Sequence, residues 1–138
     1  MTVSHTKHYL TYWKTASLEA ALLQREPITA IWSKQFGRIN AGDTIWIAGP
    51  LLTRFICLGG ITVKRVVNKD ETWTVQAETP LHPRIVDLTD DWKQLLTFES
   101  STSLSTKNRS IPDGKQLQTL RVLSRPSTLW LTSLFKTQ

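Results

Sequence analysis

The 138-residue chain predicts an α+β domain: a strongly curved, mostly antiparallel sheet or small barrel, flanked by helices at both chain ends. Three observations carry this. Helical stretches fall near the two ends of the chain, one rich in Leu and Ala from Leu18 to Leu23 and one after Pro126 with Leu129, Trp130, Leu134 and Phe135. The middle is a series of short β-branched and aromatic runs divided by Gly, Pro and Asn-Asp turns. A hydrophobic fraction of 40% with 20% charge suits one folded domain over residues 1–138.

The elements follow in order. Tyr9-Leu10-Thr11-Tyr12-Trp13 alternates and is aromatic, as in a strand. Ser17 is placed to cap a helix through Leu18-Glu19-Ala20-Ala21-Leu22-Leu23, which Pro27 ends. Ile28 to Trp32 is a second short apolar piece, and Ser33 to Asn40 a polar loop with Gly37. Ala41-Gly42-Asp43 turns into the strand Thr44 to Ala48, which Pro50 breaks. Phe55 to Val67 is the longest β-branched run, and Gly59-Gly60 inside it predicts a bulge or a close backbone approach. Asn68 to Glu71 is a hairpin turn and Thr72 to Ala77 the returning strand. Arg84 to Leu88 is another short strand, and Asp91 to Leu96 a helical turn. Phe98 to Ile111 reads as a long surface loop crowded with Ser and Thr. Asp113, with Gln116 at the box position, predicts a capped helix from Gly114 to Leu123. Pro126 opens the last helix. Five or six strands are expected.

The net charge is +6, and +5 of it lies from Ser101 onward. Such asymmetry favours an anionic partner, most often nucleic acid. Cys57 is the only cysteine and sits in Phe55-Ile56-Cys57-Leu58, the setting of a small core residue. His5, His8 and His82 are scattered, and the adjacent acidic pairs are Asp70-Glu71, in the hairpin turn, and Asp90-Asp91. With no zinc spacing, P-loop or nucleotide fingerprint, no metal, cofactor or catalytic set is expected. The start MTVSHTKHYL has no cleavage signal, and no run reaches about 18 apolar residues. A cytoplasmic protein with no membrane partner is the expectation.

The ordered set of segments resembles the PUA-like superfamily, specifically its EVE and YTH branches. Tyr12-Trp13-Lys14-Thr15-Ala16-Ser17 resembles the family's first strand and helix. Ile31-Trp32-Ser33 with the Lys34–Ile39 loop resembles the YTH stretch in which Trp precedes a small residue. Asn40-Ala41-Gly42-Asp43-Thr44-Ile45-Trp46-Ile47 resembles the Gly-Asp signature shared by EVE, ASCH and PUA-like domains. The run Phe55 to Val63 resembles the glycine-bearing strand that follows. Leu96-Thr97-Phe98-Glu99-Ser100, with the basic loop around Asn108-Arg109, resembles the late loop that contacts nucleic acid in YTH domains.

The resemblance implies a reader that binds a modified base in an aromatic pocket, flipped out of the duplex in DNA-directed members. A flipped base needs aromatic walls and a few in-plane polar groups. Trp32 and Trp13 are the expected walls, with Lys14, Thr15, Ser33 and Gln35 as nearby polar groups. Phe98, Glu99 and Ser100 complete the expected pocket, Glu99 accepting from an exocyclic amino group. Lys34, Arg38, Lys107, Arg109 and Lys115 are the expected contacts to the nucleic-acid backbone. Phe36 is a candidate wedge for the emptied stack. Trp46, Trp73 and Trp130 read as packing residues, and Trp92 is unplaced.

The expected function is therefore non-enzymatic recognition of a modified base, with modified DNA favoured over RNA. The candidates are 5-methylcytosine, a 5-hydroxymethylcytosine derivative and N6-methyladenine. The resemblance also implies an associated or fused nuclease, the chain being the specificity module of a modification-dependent restriction system. An RNA-binding PUA-like domain reading RNA structure and an ASCH-type ribonuclease are the alternatives.

Overall fold

The computed structural model describes residues 6–24, 26–99, 111–112, 117 and 120–136. The strands are β1 (His8–Tyr12), β2 (Ile28–Ser33), β3 (Thr44–Leu51), β4 (Arg54–Lys69), β5 (Thr72–Leu81), β6 (Val86–Asp87) and β7 (Arg121–Val122). The helices are α1 (Thr15–Leu23), α2 (Trp92–Leu95) and α3 (Arg125–Lys136), with a 3-10 turn at Phe36–Arg38. The strands form one sheet in the order β2-β5-β4-β3-β1-β7, with β6 added to β4. Among the described residues only β1 and β3 pair in parallel; the other pairs are antiparallel. The expected α+β class and curved, mostly antiparallel sheet are what the chain forms, with seven strands rather than five or six.

The curl brings the two ends of the strand order together. The Gln35 side-chain oxygen accepts from the Leu120 amide at 2.7 Å, and the Arg38 guanidinium donates to the Leu120 carbonyl. The loop after β2 is thus tied to the residue before β7.

β3 shows why the middle of the chain reads as continuous apolar sequence. Ile45 and Ile47 face one core, with Leu18, Ile31, Ile61 and Val75. Trp46 and Ala48 face a second, with Leu10, Phe55, Trp92 and Leu131. A strand covered on both faces needs apolar residues at every position, not at alternate ones.

The Gly-Asp signature has a structural job here. The Asp43 carboxylate is buried, and its two oxygens accept from the Lys7 and Asn40 amides, both at 2.9 Å. Gly42 takes φ +94°, which lets its amide donate to the Val63 carbonyl at 2.8 Å. The turn is locked before β3 begins. In β4 the expected bulge is present: pairing with β3 steps from Gly59 to Cys57, leaving Leu58 extra. Asp70 and Glu71, both at positive φ, close the β4–β5 hairpin in two residues, the geometry that matches strand twist.

Four expectations are corrected. Ser17 is not the cap of α1: the helix starts at Thr15, and its end is held by the Thr15 hydroxyl donating to the Pro50 carbonyl at 2.8 Å. Pro50 does not break β3, because it lies beside the β3–β4 turn, opposite Phe55. The helix expected to run to Leu123 gives way to β7, whose Arg121 and Val122 pair with Leu10 and Tyr9. Phe36 is no wedge: at 1% exposure it is core. The capping group at Asp113 and Gln116 lies outside the described residues.

Candidate nucleic-acid interface

The alternation along β2 decides what its side chains do. Ile31 pairs with Val75, which pairs with Val66, and this row faces the first core. The next row is Trp32, Thr74 and Val67. Adjacent residues on a strand point to opposite faces, so Trp32 turns outward. It is 71% exposed and Val67 41%. A Trp left in water gains nothing for folding from its large apolar ring, which makes it a candidate for binding.

Trp13 arrives from the other side. Its amide donates to the Ala48 carbonyl at 2.9 Å, just past the β1–β3 pairing. Gly49 allows this approach, since a Cβ there would overlap the Trp13 carbonyl oxygen. The Trp13 ring is half-buried and packs on the first core.

Both tryptophans line one cavity of about 520 Å³, between α1 and β2. That volume lies within the range of ligand pockets, roughly 300–1,000 Å³. Ser17, Gln24, Glu26 and Thr29 bring polar groups to its lining; Ala20, Ala21, Ile28 and Ile31 bring apolar surface. Sequence reasoning found the two tryptophans and missed these polar groups. Their role depends on α1 and β2 folding side by side, which no local pattern announces.

The remaining expected pocket residues lie elsewhere. Lys14 is exposed at the start of α1, and Thr15 is spent on Pro50. Ser33 accepts from the Gln35 amide at 3.1 Å, and the Gln35 side chain bonds Leu120. None of the four lines the cavity. Phe98 is 7% exposed in the second core, bridged to Leu123, with the Arg121 guanidinium 4.0 Å above its ring. Its position against β7 follows from that strand replacing the expected helix. The Glu99 amide donates to the Val122 carbonyl at 3.0 Å. Burial pushes the Tyr9 phenol up, helped by Asp43 and Glu99 and opposed by Arg38, and Glu99 does not line the cavity. Ser100 lies outside the described residues.

Among the expected backbone contacts, Lys34 is exposed. Arg38 is engaged with the Leu120 carbonyl and lies over the Tyr9 ring at 5.8 Å. Lys107, Arg109 and Lys115 lie outside the described residues. Cys57 is fully buried, its thiol pushed up to about 12 by burial, as befits a core residue. Among the described residues, no three of His, Cys, Asp and Glu converge to hold a metal ion, and no helix is long and apolar enough to cross a membrane.

The architecture belongs with known structures. An ASCH point variant from Zymomonas mobilis superposes with a TM-score of 0.59 at 13% identity, over 96% of this chain and 99% of that one. The ASCH protein of the same organism gives 0.57 at 15% identity, over 93% and 95%. A hypothetical protein from Leishmania major gives 0.57 at 5% identity, over 96% of each chain. These identities establish likeness of fold. The chain has the fold of these ASCH proteins. No protein-family model and no curated protein sequence matches it.

Proposed function

We propose that this chain is a non-enzymatic nucleic-acid-binding domain that takes a modified base, flipped from DNA, into the cavity between α1 and β2, as EVE- and YTH-type domains do. One observation carries the reading: Trp13, just past β1, and Trp32, in β2, line the same cavity, with Trp32 largely in water. Base stacking is worth about 1–3 kcal/mol per base, and extrusion costs a few kcal/mol. Two aromatic surfaces, edge hydrogen bonds and phosphate contacts together offset that cost. The net charge of +6 supplies the attraction to phosphate. Specificity of this kind is what a modification-dependent restriction system requires.

The test is a binding titration with short duplexes carrying one central unmodified cytosine, 5-methylcytosine, 5-hydroxymethylcytosine or N6-methyladenine, and matching single-stranded RNAs, at two salt concentrations. The expected result is preference for one modified base in DNA, reduced at least tenfold by Trp32→Ala with an unchanged circular dichroism spectrum. Equal, steeply salt-dependent binding to every probe overturns it. The likeness to ASCH domains favours a second reading with RNA as partner. RNA preference, or RNA cleavage in the same samples, would establish that reading instead.

A further inference from the structure

The cavity has a chemical bias that its aromatic walls do not explain. The chain carries a net charge of +6, yet the only ionisable side chain among the described residues that line the cavity is Glu26. A carboxylate at neutral pH only accepts hydrogen bonds. Glu26 thus offers an acceptor at the cavity, suited to a ring with a donor on its edge. Ser17, Thr29 and Gln24 can each donate or accept and adapt to the rest of that edge.

We infer that Glu26 is a specificity-determining residue, reading the exocyclic amino group of a cytosine- or adenine-type base and rejecting the 4-oxo and 6-oxo bases. The inference rests on the base-pocket reading above. Glu26 stands in the lead from α1 into β2, next to Pro27, which limits the backbone at that point. Carboxylates accept from cytosine N4 when bases are read in a groove, and the same pairing is available to a flipped base. Glu26 takes the role that the sequence suggested for Glu99.

5-Methylcytosine and thymine share ring size and the 5-methyl group and differ in the 4-amino against the 4-oxo edge. Adenine and hypoxanthine, which differ in the 6-amino against the 6-oxo edge, give the equivalent purine contrast. Each base is placed opposite an abasic site, so that no pairing energy biases extrusion. Wild-type protein is expected to prefer the amino-bearing member of at least one pair by about tenfold. In Glu26→Gln, whose amide can donate as well as accept, that ratio falls to near unity while Trp32-dependent binding persists. Glu26 is exposed, so the fold tolerates the change, and a thermal melt verifies it. A wild-type preference left intact by Glu26→Gln overturns the inference, as does Trp32-dependent binding with no amino preference; either leaves the base-pocket reading standing. Binding to all four bases that is indifferent to Trp32→Ala overturns both.

Discussion

The two faces of the sheet use the same residue type to opposite ends. On the face under α2 and α3, Trp46 and Trp92 are buried with Phe55, and Trp130 and Phe135 pack against them. On the face under α1, the core is built mainly of Leu, Ile and Val with Tyr9 and Phe36, and the space between α1 and β2 is left as a cavity edged by Trp13 and Trp32. Tryptophans that fill one side stabilise the molecule. Beside the gap on the other side, Trp32 stands largely in water and contributes little to folding, while half-buried Trp13 packs on the core. Burial, not residue type, separates the aromatics that pack the core from the one left open to solvent.

The sharpest way to break this comparison is to truncate one tryptophan from each side. Trp92 is 1% exposed and meets the Phe55 ring edge-on at 6.2 Å. Trp92→Ala is expected to cost about 3–5 kcal/mol, the range for emptying a large buried aromatic site. Trp32→Ala should change stability by no more than about 0.5 kcal/mol, as at other exposed positions. Urea denaturation measures both as shifts in midpoint. Comparable losses for the two variants would show that Trp32 is structural after all, and the pocket assignment would fall with it.

The glycines make a second contrast. A Cβ at Gly49 would overlap the Trp13 backbone and lie 3.0 Å from a Leu18 methyl. Backbone cannot step aside, so Gly49→Ala is expected to lose about 1–3 kcal/mol by overpacking and to move Trp13. A Cβ at Gly60 would meet the buried Trp46 ring at 2.9 Å, against 2.0 Å from the Trp13 carbonyl oxygen at Gly49. Gly60→Ala should therefore be the milder change, and only Gly49→Ala should also weaken binding at the cavity. Equal effects on stability and none on binding would show that Gly49 does not position Trp13.

These contrasts also show what the sequence made legible. β3, β4, β5 and their hairpin are long enough for β-branched runs and turn residues to announce them, and Gly59 marked its own bulge. The Trp13–Trp32 pair was legible because both sit at strand ends beside turns. β7 was not, because two residues carry no period. Leu117, Leu120 and Leu123 are spaced like a helical stripe and are all buried, but Arg121 and Val122 are recruited by pairing with β1. Phe36 looked like a loop aromatic because nothing local shows that the loop folds back over the core. Glu26 was invisible because its meaning comes from the cavity and not from its neighbours in the chain.

The smallest expected effect lies on the filled face. The Trp46 indole N–H donates to His8 Nδ1 at 3.0 Å, and the two rings stack. A nitrogen that accepts carries no proton, so the contact requires neutral His8. Burial lowers the His8 pKa below its ordinary 6.5, and Asp43 opposes that only in part. With the folded value below the unfolded one, the unfolded chain binds more protons in the window between them. The stabilisation is thus complete above about pH 6.5 and is lost as pH falls through the folded value. An intramolecular hydrogen bond contributes about 0.5–1.5 kcal/mol net, which bounds the contact itself. Thermal melts between pH 8 and pH 5 should show the melting temperature falling below pH 6.5 in the wild type. In His8→Gln, whose side-chain oxygen accepts from the indole without titrating in this range, the fall should be shallower. Parallel curves would mean that acid sensitivity arises elsewhere, and that the aromatic packing around Trp46 holds without a neutral His8.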